Sequence, residues 1–296
     1  MREFLLLCCA LFLFAGCEKP VIEAEEQGGK TDIVSKGEYQ LTFNAMQVEQ
    51  TPFLSSTRNE TSTQSLAEVC NRISFVVFDG DTKVCSTHQT SSEKSFGSVS
   101  VNLPAGNYTL VIIAHNGLGN PTFSSPSKIT FKDNKVTDTF YYCQSLVVDG
   151  SKSYDITLSR AVAMFSLEIN NATPTAVKRM KFYYTGGSST FNAVEGCGCV
   201  ASRQTEYRDV PPTAYNGESS YELYTFPHND GRTLKMKVSA LGSSDDEVFY
   251  NYTFDDIPVA ANQVTHYCGY FFGGEEHNNI SVKVIDNWSH ISYCFQ

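Results

Sequence analysis

Charge is scarce in this chain. Only 18% of its residues are Asp, Glu, Lys or Arg, and the balance is acidic, 32 against 22. A net charge of −10 excludes nucleic acid as a partner and excludes electrostatic adhesion to anionic lipid, since both need a basic surface. Long apolar runs are also missing. The longest, Phe4 to Phe14, falls well short of the ~20 residues that a membrane-spanning helix requires. Helix signals are nearly absent. Only "TSTQSLAEVCNRI" offers one, with Ser65 as N-cap and Glu68 three residues on, a capping-box pattern good for one or two turns.

Catalytic constellations are lacking as well. The 6 histidines (His88, His115, His228, His266, His277 and His290) are scattered. "GGEEH" at Gly273 to His277 lacks the second histidine of a metalloprotease motif, and no G-x-S-x-G elbow occurs. "SDDE" at Ser244 to Glu247 reads as a solvated hairpin loop. Asp79 and Asp81 are two carboxylates without further calcium ligands, which more often simply make a turn. "CGC" at Cys197 to Cys199 has no companion cluster at zinc-ligand spacing. No enzyme, no cofactor and no metal site is expected.

What is present begins with an address. Arg2, the apolar run and the small pair Ala15-Gly16 form a secretory signal peptide over residues 1–16. Small residues immediately before Cys17 match a bacterial lipobox, in which the cysteine sulfur is acylated. Two or more acyl chains on one cysteine give stable anchoring, so Cys17 is the expected lipidation site and sole membrane contact. Residues 17–36 are polar and acidic, "EAEEQGGK" among them, and read as a flexible tether. Removing residues 1–16 leaves the net charge unchanged, because Arg2 and Glu3 cancel.

The rest alternates with period two. Leu234, Met236 and Val238 alternate with Lys235, Lys237 and Ser239. Ala163, Phe165, Leu167 and Ile169 alternate with Met164, Ser166, Glu168 and Asn170. "ISFVVF" (Ile73 to Phe78) and "YTLVIIA" (Tyr108 to Ala114) are apolar on both faces and read as central strands. Turn signals at Asp79-Gly80-Asp81, Pro104 to Asn107, Asp149-Gly150 and Tyr184 to Ser188 separate the strands. Many short strands at this spacing predict an all-β chain of sandwiches. Each half opens on an alternating strand, passes a hairpin and closes on an apolar strand, Tyr154 to Leu158 in the first and Asn279 to Ile285 in the second. The boundary is placed at Ser159-Arg160, giving domains at residues 37–159 and 160–296. Beyond Cys17 the chain carries seven cysteines: Cys70, Cys85, Cys143, Cys197, Cys199, Cys268 and Cys294. An odd number leaves at least one thiol without a partner in the chain. Cys70 and Cys85, flanking one hairpin in a disulfide-permissive compartment, are the candidate pair.

Three stretches together resemble the fimbrillin superfamily of Bacteroidota, whose members build type V pili. They are "NRISFVVFDGDTKV" (Asn71 to Val84), "VNLPAGNYTLVIIAHN" (Val101 to Asn116) and "ITLSRAVAMFSLEI" (Ile156 to Ile169). The closing "NQVTHYCGYFF" and "ISVKVIDNW" are similar too, and the anchor-type minor fimbrillins are the most alike. That resemblance implies two tandem transthyretin-like β-sandwich domains, no catalysis, and a surface-exposed lipoprotein of the outer membrane and fimbrium. It also implies assembly with other fimbrial subunits by β-strand addition, after a protease cuts past the first strand. Here that strand is Tyr39 to Val48, with Tyr39, Leu41, Phe43 and Ala45 on one face. The basic residue in the following loop is Arg58, the candidate processing site. Anchor-type subunits keep both strand and lipid, and the short "SHISYCFQ" after Trp288 disfavours a stalk role. The expected function is a lipid-tethered subunit that anchors or terminates a pilus. The alternatives are a protease-processed tip adhesin and a glycan-binding surface lipoprotein, whose 16 tyrosines would stack on sugars of a host or bacterial surface.

Overall fold

Strands dominate wherever the computed structural model describes the chain, which is residues 37–50, 62–273 and the backbone of 280–285. In order they are β1 (Glu38–Gln50), β2 (Ser62–Ser65), β3 (Arg72–Asp79), β4 (Thr82–Thr90), β5 (Ser98–Pro104), β6 (Gly106–His115), β7 (Thr122–Ser125), β8 (Lys128–Thr130), β9 (Thr139–Val148) and β10 (Lys152–Arg160). The second half holds β11 (Ala163–Ile169), β12 (Arg179–Thr185), β13 (Thr190–Asn192), β14 (Cys197–Gly198), β15 (Arg203–Asp209), β16 (Ser219–Thr225), β17 (Leu234–Leu241), β18 (Val248–Ile257), β19 (Val264–Gly269) and β20 (Ile280–Ile285).

The one α-helix among the described residues, α1 (Leu66–Val69), lies where one or two turns were expected after Ser65, and it buries Leu66. Ser65 stands at the N-cap, yet its side chain makes no capping hydrogen bond. The turn is held instead by the Cys70 amide on the Leu66 carbonyl, at 2.9 Å, and by burial of Leu66.

Each half is a two-layer sandwich, and the two share one plan. In the first, β1 pairs with β5 antiparallel and with β10 parallel, facing a layer ordered β4-β3-β6-β9. In the second, β11 pairs with β16 antiparallel and with β19 parallel, facing a layer ordered β15-β12-β17-β18. The correspondence runs strand by strand in chain order, so the repeat expected from the sequence is real. Two details differ. Asn279 to Ile285 was expected to close the second half as Tyr154 to Leu158 closes the first, but the counterpart of β10 is β19, and β20 is an addition paired antiparallel to the outer side of β19. In the first half, moreover, β10 also pairs with β9 at Ser159 and Arg160, which makes its two layers continuous at that edge.

The alternating residues fill the sandwiches. Leu41, Phe43, Ala45, Val48, Ile73, Phe75, Ile112, Phe140 and Leu158 belong to the first core. Phe165, Leu167, Ile169, Phe182, Met236, Val238 and Phe254 belong to the second. A third core explains why β3 and β6 are apolar on both faces. Val76, Phe78, Val111 and Ile113 point away from the first core and pack with Phe123, Ile129, Phe131, Phe191 and Phe226. Over them lies a small sheet, β14-β13-β8-β7, in which Phe191 of the second half pairs with Ile129 of the first. The chain changes sheets between Arg160, the end of β10, and Ala163, the start of β11. Ala161 and Val162 are fully buried in the third core as it crosses.

Candidate functional site

The first strand is the feature on which assembly would turn. β1 lies inside its sheet with both main-chain edges in use. Residues Leu41 to Val48 run parallel to Lys152 to Leu158 on one side, and Glu38 to Asn44 run antiparallel to Pro104 to Ser98 on the other. Further along, β2 takes over this second edge from Gln47 onwards. Leu41, Phe43, Ala45 and Val48 are 0% exposed, and Phe43 stacks on Tyr154 with ring centroids 5.4 Å apart. A bulge between Asn44 and Gln47 shifts the inward position from 47 to 48. There the Ala45 amide donates to the Gly97 carbonyl at 2.7 Å. Gly97 sits at φ +88°, and a Cβ on it would meet the Ala45 oxygen at 3.0 Å, so this close approach calls for glycine.

The opposite face of β1 is polar and solvated. Thr42 and Ser100 hydroxyls lie 2.8 Å apart, Asn44 Nδ2 donates to Asp155 Oδ1 at 3.0 Å, and the Ser98 hydroxyl donates to Asn44 Oδ1 at 2.8 Å. The first two are exposed and the third part-buried, and such bonds fix register more than they add stability. Cys17, the tether and Arg58 lie outside the described residues, as do Trp288 and Cys294.

The crossing between halves is clamped by an arginine. Arg160 Nε and Nη2 donate to the two carboxylate oxygens of Asp138 at 2.8 and 2.9 Å, and Nη1 donates to Asn262 Oδ1 at 3.1 Å. Its guanidinium carbon lies 4.6 Å from the centre of the Phe140 ring. The Arg160 side chain is 2% exposed, so the bidentate pair is what makes its burial tolerable.

The predicted Cys70–Cys85 disulfide does not form. Both are free thiols. Cys85 pairs with Val77, whereas Cys70 precedes β3 at the other end of the hairpin. Seven residues of strand span about 20 Å, against the ~6 Å that a disulfide tolerates between Cα atoms. Burial, then the Asp138 charge, drives the Cys70 thiol far above its usual range. Cys197 is buried and Cys199 exposed, and burial raises both thiols, which leaves little nucleophilic thiolate.

Other sequence candidates are spread apart. Asp79 closes β3 beside Gly80, at φ +58° in the hairpin turn. His88 bridges the Ser74 and Ser86 hydroxyls at 2.8 and 3.1 Å. "SDDE" is more than a solvated loop. Asp245 receives Tyr207 Oη at 2.5 Å and pairs with Arg179 and Lys181. The Tyr207 hydrogen bond leads in holding its carboxyl below the usual range. This lies on the outer face of β12 and β15, where Tyr183 and Tyr207 are about 40% exposed.

One group escaped the sequence reading. Glu168 on β11 and His266 and Cys268 on β19 bring an oxygen, a nitrogen and a sulfur within 4.8 Å of one another, and could hold a metal ion. Alternation placed Glu168 off the core face, but nothing local placed β19 beside β11, about a hundred residues away.

Residues 31–293 match the family model of the fimbrillin-A associated anchor proteins Mfa1 and Mfa2. The chain belongs to this family. It is therefore a fimbria-associated surface protein, from a family of structural subunits rather than a known enzyme family. No curated protein sequence matches. Among solved structures, a proposed adhesin of Bacteroides ovatus is 12% identical, covering 86% of this chain and 96% of its own at a TM-score of 0.50. Proteins of Bacteroides thetaiotaomicron proposed to bind polysaccharide are 10% identical, covering 86% and 99%, also at 0.50. The fimbrial anchor protein Mfa2 of Porphyromonas gingivalis is 11% identical, covering 83% and 97%, at 0.43. At these identities the first two share the fold of this member of the anchor family.

Proposed function

We propose that this Mfa1/Mfa2-family protein is a lipid-tethered subunit that anchors or terminates a fimbrium. Acylated Cys17 holds it in the outer membrane, residues 17–36 lift it off the surface, and domains 37–159 and 160–296 form the pilin body. The observation that carries this reading is the seating of β1. With Leu41, Phe43, Ala45 and Val48 fully buried and both edges paired, the groove a neighbour's strand would enter is already filled. A subunit that retains its first strand accepts no donor there, and growth stops at it. The described part of the C-terminal region points the same way, since β20 pairs with β19 of its own chain. Other fimbrial subunits are the partners, joined by strand addition elsewhere on the body.

The test is the N-terminus of the surface protein, read by mass spectrometry. A lipidated Cys17 terminus supports the anchor. A terminus at Asn59 would mean cleavage after Arg58, release of β1 and a processed tip or shaft subunit instead. A glycan-binding role is the second reading, favoured by half-exposed Tyr183 and Tyr207 beside Lys181 and Asp245. Aromatic faces flanked by hydrogen-bonding groups suit sugar stacking. Unprocessed protein that never co-purifies with a pilin, yet binds a glycan array through Tyr207, would select it.

A further inference from the structure

The outer face of the β11–β19 ladder carries three metal-ligating side chains of different kinds. Register accounts for their meeting: Ser166 stands opposite His266 and Glu168 opposite Cys268, all on the side away from the second core. His266 and Cys268 are 6% and 2% exposed, and the Glu168 side chain 25%. His266 Nε2 lies 3.5 Å from Glu168 Oε2, and Cys268 Sγ lies 3.6 Å from Glu168 Oε1. The first is longer than a good N–H···O hydrogen bond, and the second is an S–H···O contact of ordinary length. They reach the two different oxygens of Glu168. Taken with one oxygen, the three ligand atoms lie within 4.8 Å of one another, a small side-chain adjustment from the about 3.3–3.5 Å that zinc bonds of ~2.0 Å to N or O and ~2.3 Å to S impose.

The neighbours are arranged as supports. The Ser166 hydroxyl is 3.1 Å from His266 Nδ1, which fixes the ring with Nε2 toward Glu168. Asn170 Nδ2 donates to Cys268 Sγ at 3.2 Å, the bond that would steady a thiolate. Outer partners of this kind orient ligands and tune their basicity.

We propose that Glu168, His266 and Cys268 form a zinc site that clips β11 to β19. A mixed O/N/S set suits zinc and not calcium or magnesium, which take oxygen alone. Three protein ligands leave a fourth position for water or a further donor. On binding, the Cys268 S–H proton passes to solvent and the sulfur electron pair forms the Zn–S bond, so affinity rises with pH. The clip ties the ladder that corresponds to β1–β10 in the first half. It is independent of the anchor reading.

The test uses the full chain, stripped with EDTA, desalted and loaded with zinc or cobalt(II). One equivalent of zinc should be retained by elemental analysis. Cobalt should give a near-ultraviolet thiolate charge-transfer band. Cys268→Ser should abolish the band, and a Cys197→Ser/Cys199→Ser double variant should keep it. Asn170→Ala should weaken retention about 10–100-fold, the usual effect of losing a second-sphere partner. If Cys268→Ser fails to fold by circular dichroism, Glu168→Gln decides, with at least tenfold weaker zinc retention expected. Absence of the band, its survival in Cys268→Ser, its loss in the double variant, or unchanged retention in Glu168→Gln would overturn the proposal.

Discussion

The two halves repeat one seven-strand plan but treat their opening strands differently. β1 buries Leu41, Phe43 and Ala45 and turns Thr42, Asn44 and the exposed Met46 to solvent. β11 is buried on both faces over Ala163 to Leu167, and its parallel partner β19 is buried throughout. Topology alone therefore does not decide whether a strand can be exchanged. A strand with one wet face is held by a single layer of pockets and its ladder bonds, whereas one buried on both faces is held twice. If strand exchange operates anywhere in this fold, the first half is where the cost of removal is lower.

The largest effect expected concerns what joins the halves. Phe191 is fully buried in the third core, with Phe226 and Tyr141 rings 4.8 and 4.9 Å away. Phe191→Ala should cost about 3–5 kcal/mol. Calorimetry should show the halves separating into two transitions where the parent shows one. A single transition in the variant would mean that the third core is not what couples them.

Next comes the clamp at the crossing. Asp138→Ala leaves the Arg160 guanidinium buried without its carboxylate, a loss of about 3–5 kcal/mol by denaturant titration. Asp138→Asn, which retains one acceptor, should lose less. Equal losses would reduce Asp138 to a packing role.

A pH effect is expected from the first half. His115 is 1% exposed and takes the Gly117 amide on Nδ1 at 2.8 Å. Burial, with a smaller push from the Arg72 charge, lowers its pKa to about 4 from 6.5. The unfolded chain then binds more protons, so stability is fully present above about pH 6.5 and falls toward pH 4. At ~1.4 kcal/mol per pH unit, the loss attributable to His115 approaches about 3 kcal/mol. It should disappear from the difference curve against His115→Gln, and a parallel curve would refute it.

The smallest effect tests the opening strands directly. Asn44→Ala on the solvated face of β1 should cost about 0.5 kcal/mol, because water replaces its bonds to Asp155 and Ser98. Ser166→Ala on the buried face of β11 removes a bond to His266 that water does not replace, and should cost about 1–2 kcal/mol. Equal values would erase the contrast between the two strands.

Much of the architecture was legible because alternation is a local property. Leu41, Phe43 and Ala45, or Leu234, Met236 and Val238, face inward because side chains in a strand alternate whatever lies across from them. The turns at Gly80 and Gly186 could be read for the same reason: positive φ is a property of one residue. The resemblance of Ile156 to Ile169 to the fimbrillins likewise falls within the residues that match the Mfa1/Mfa2 family. Illegible were the facts that depend on partners. Cys70 and Cys85 flank one hairpin in the sequence, yet register sends them to opposite ends of it. Glu168, His266 and Cys268 become neighbours only because β11 and β19 pair in parallel.

By itself, then, the sequence determined the strands, their inward faces, the turns and the repeat, because these follow from residues within a few positions of one another. Tertiary structure alone decided that β20 is an added strand, that β3 and β6 serve two cores, and that Arg160 joins Asp138 to Asn262. Each of those outcomes depends on which distant segment pairs with a given edge or covers a given face. Hydrogen-bonding edges and apolar faces are alike from strand to strand, so only the closing of the whole chain selects among them.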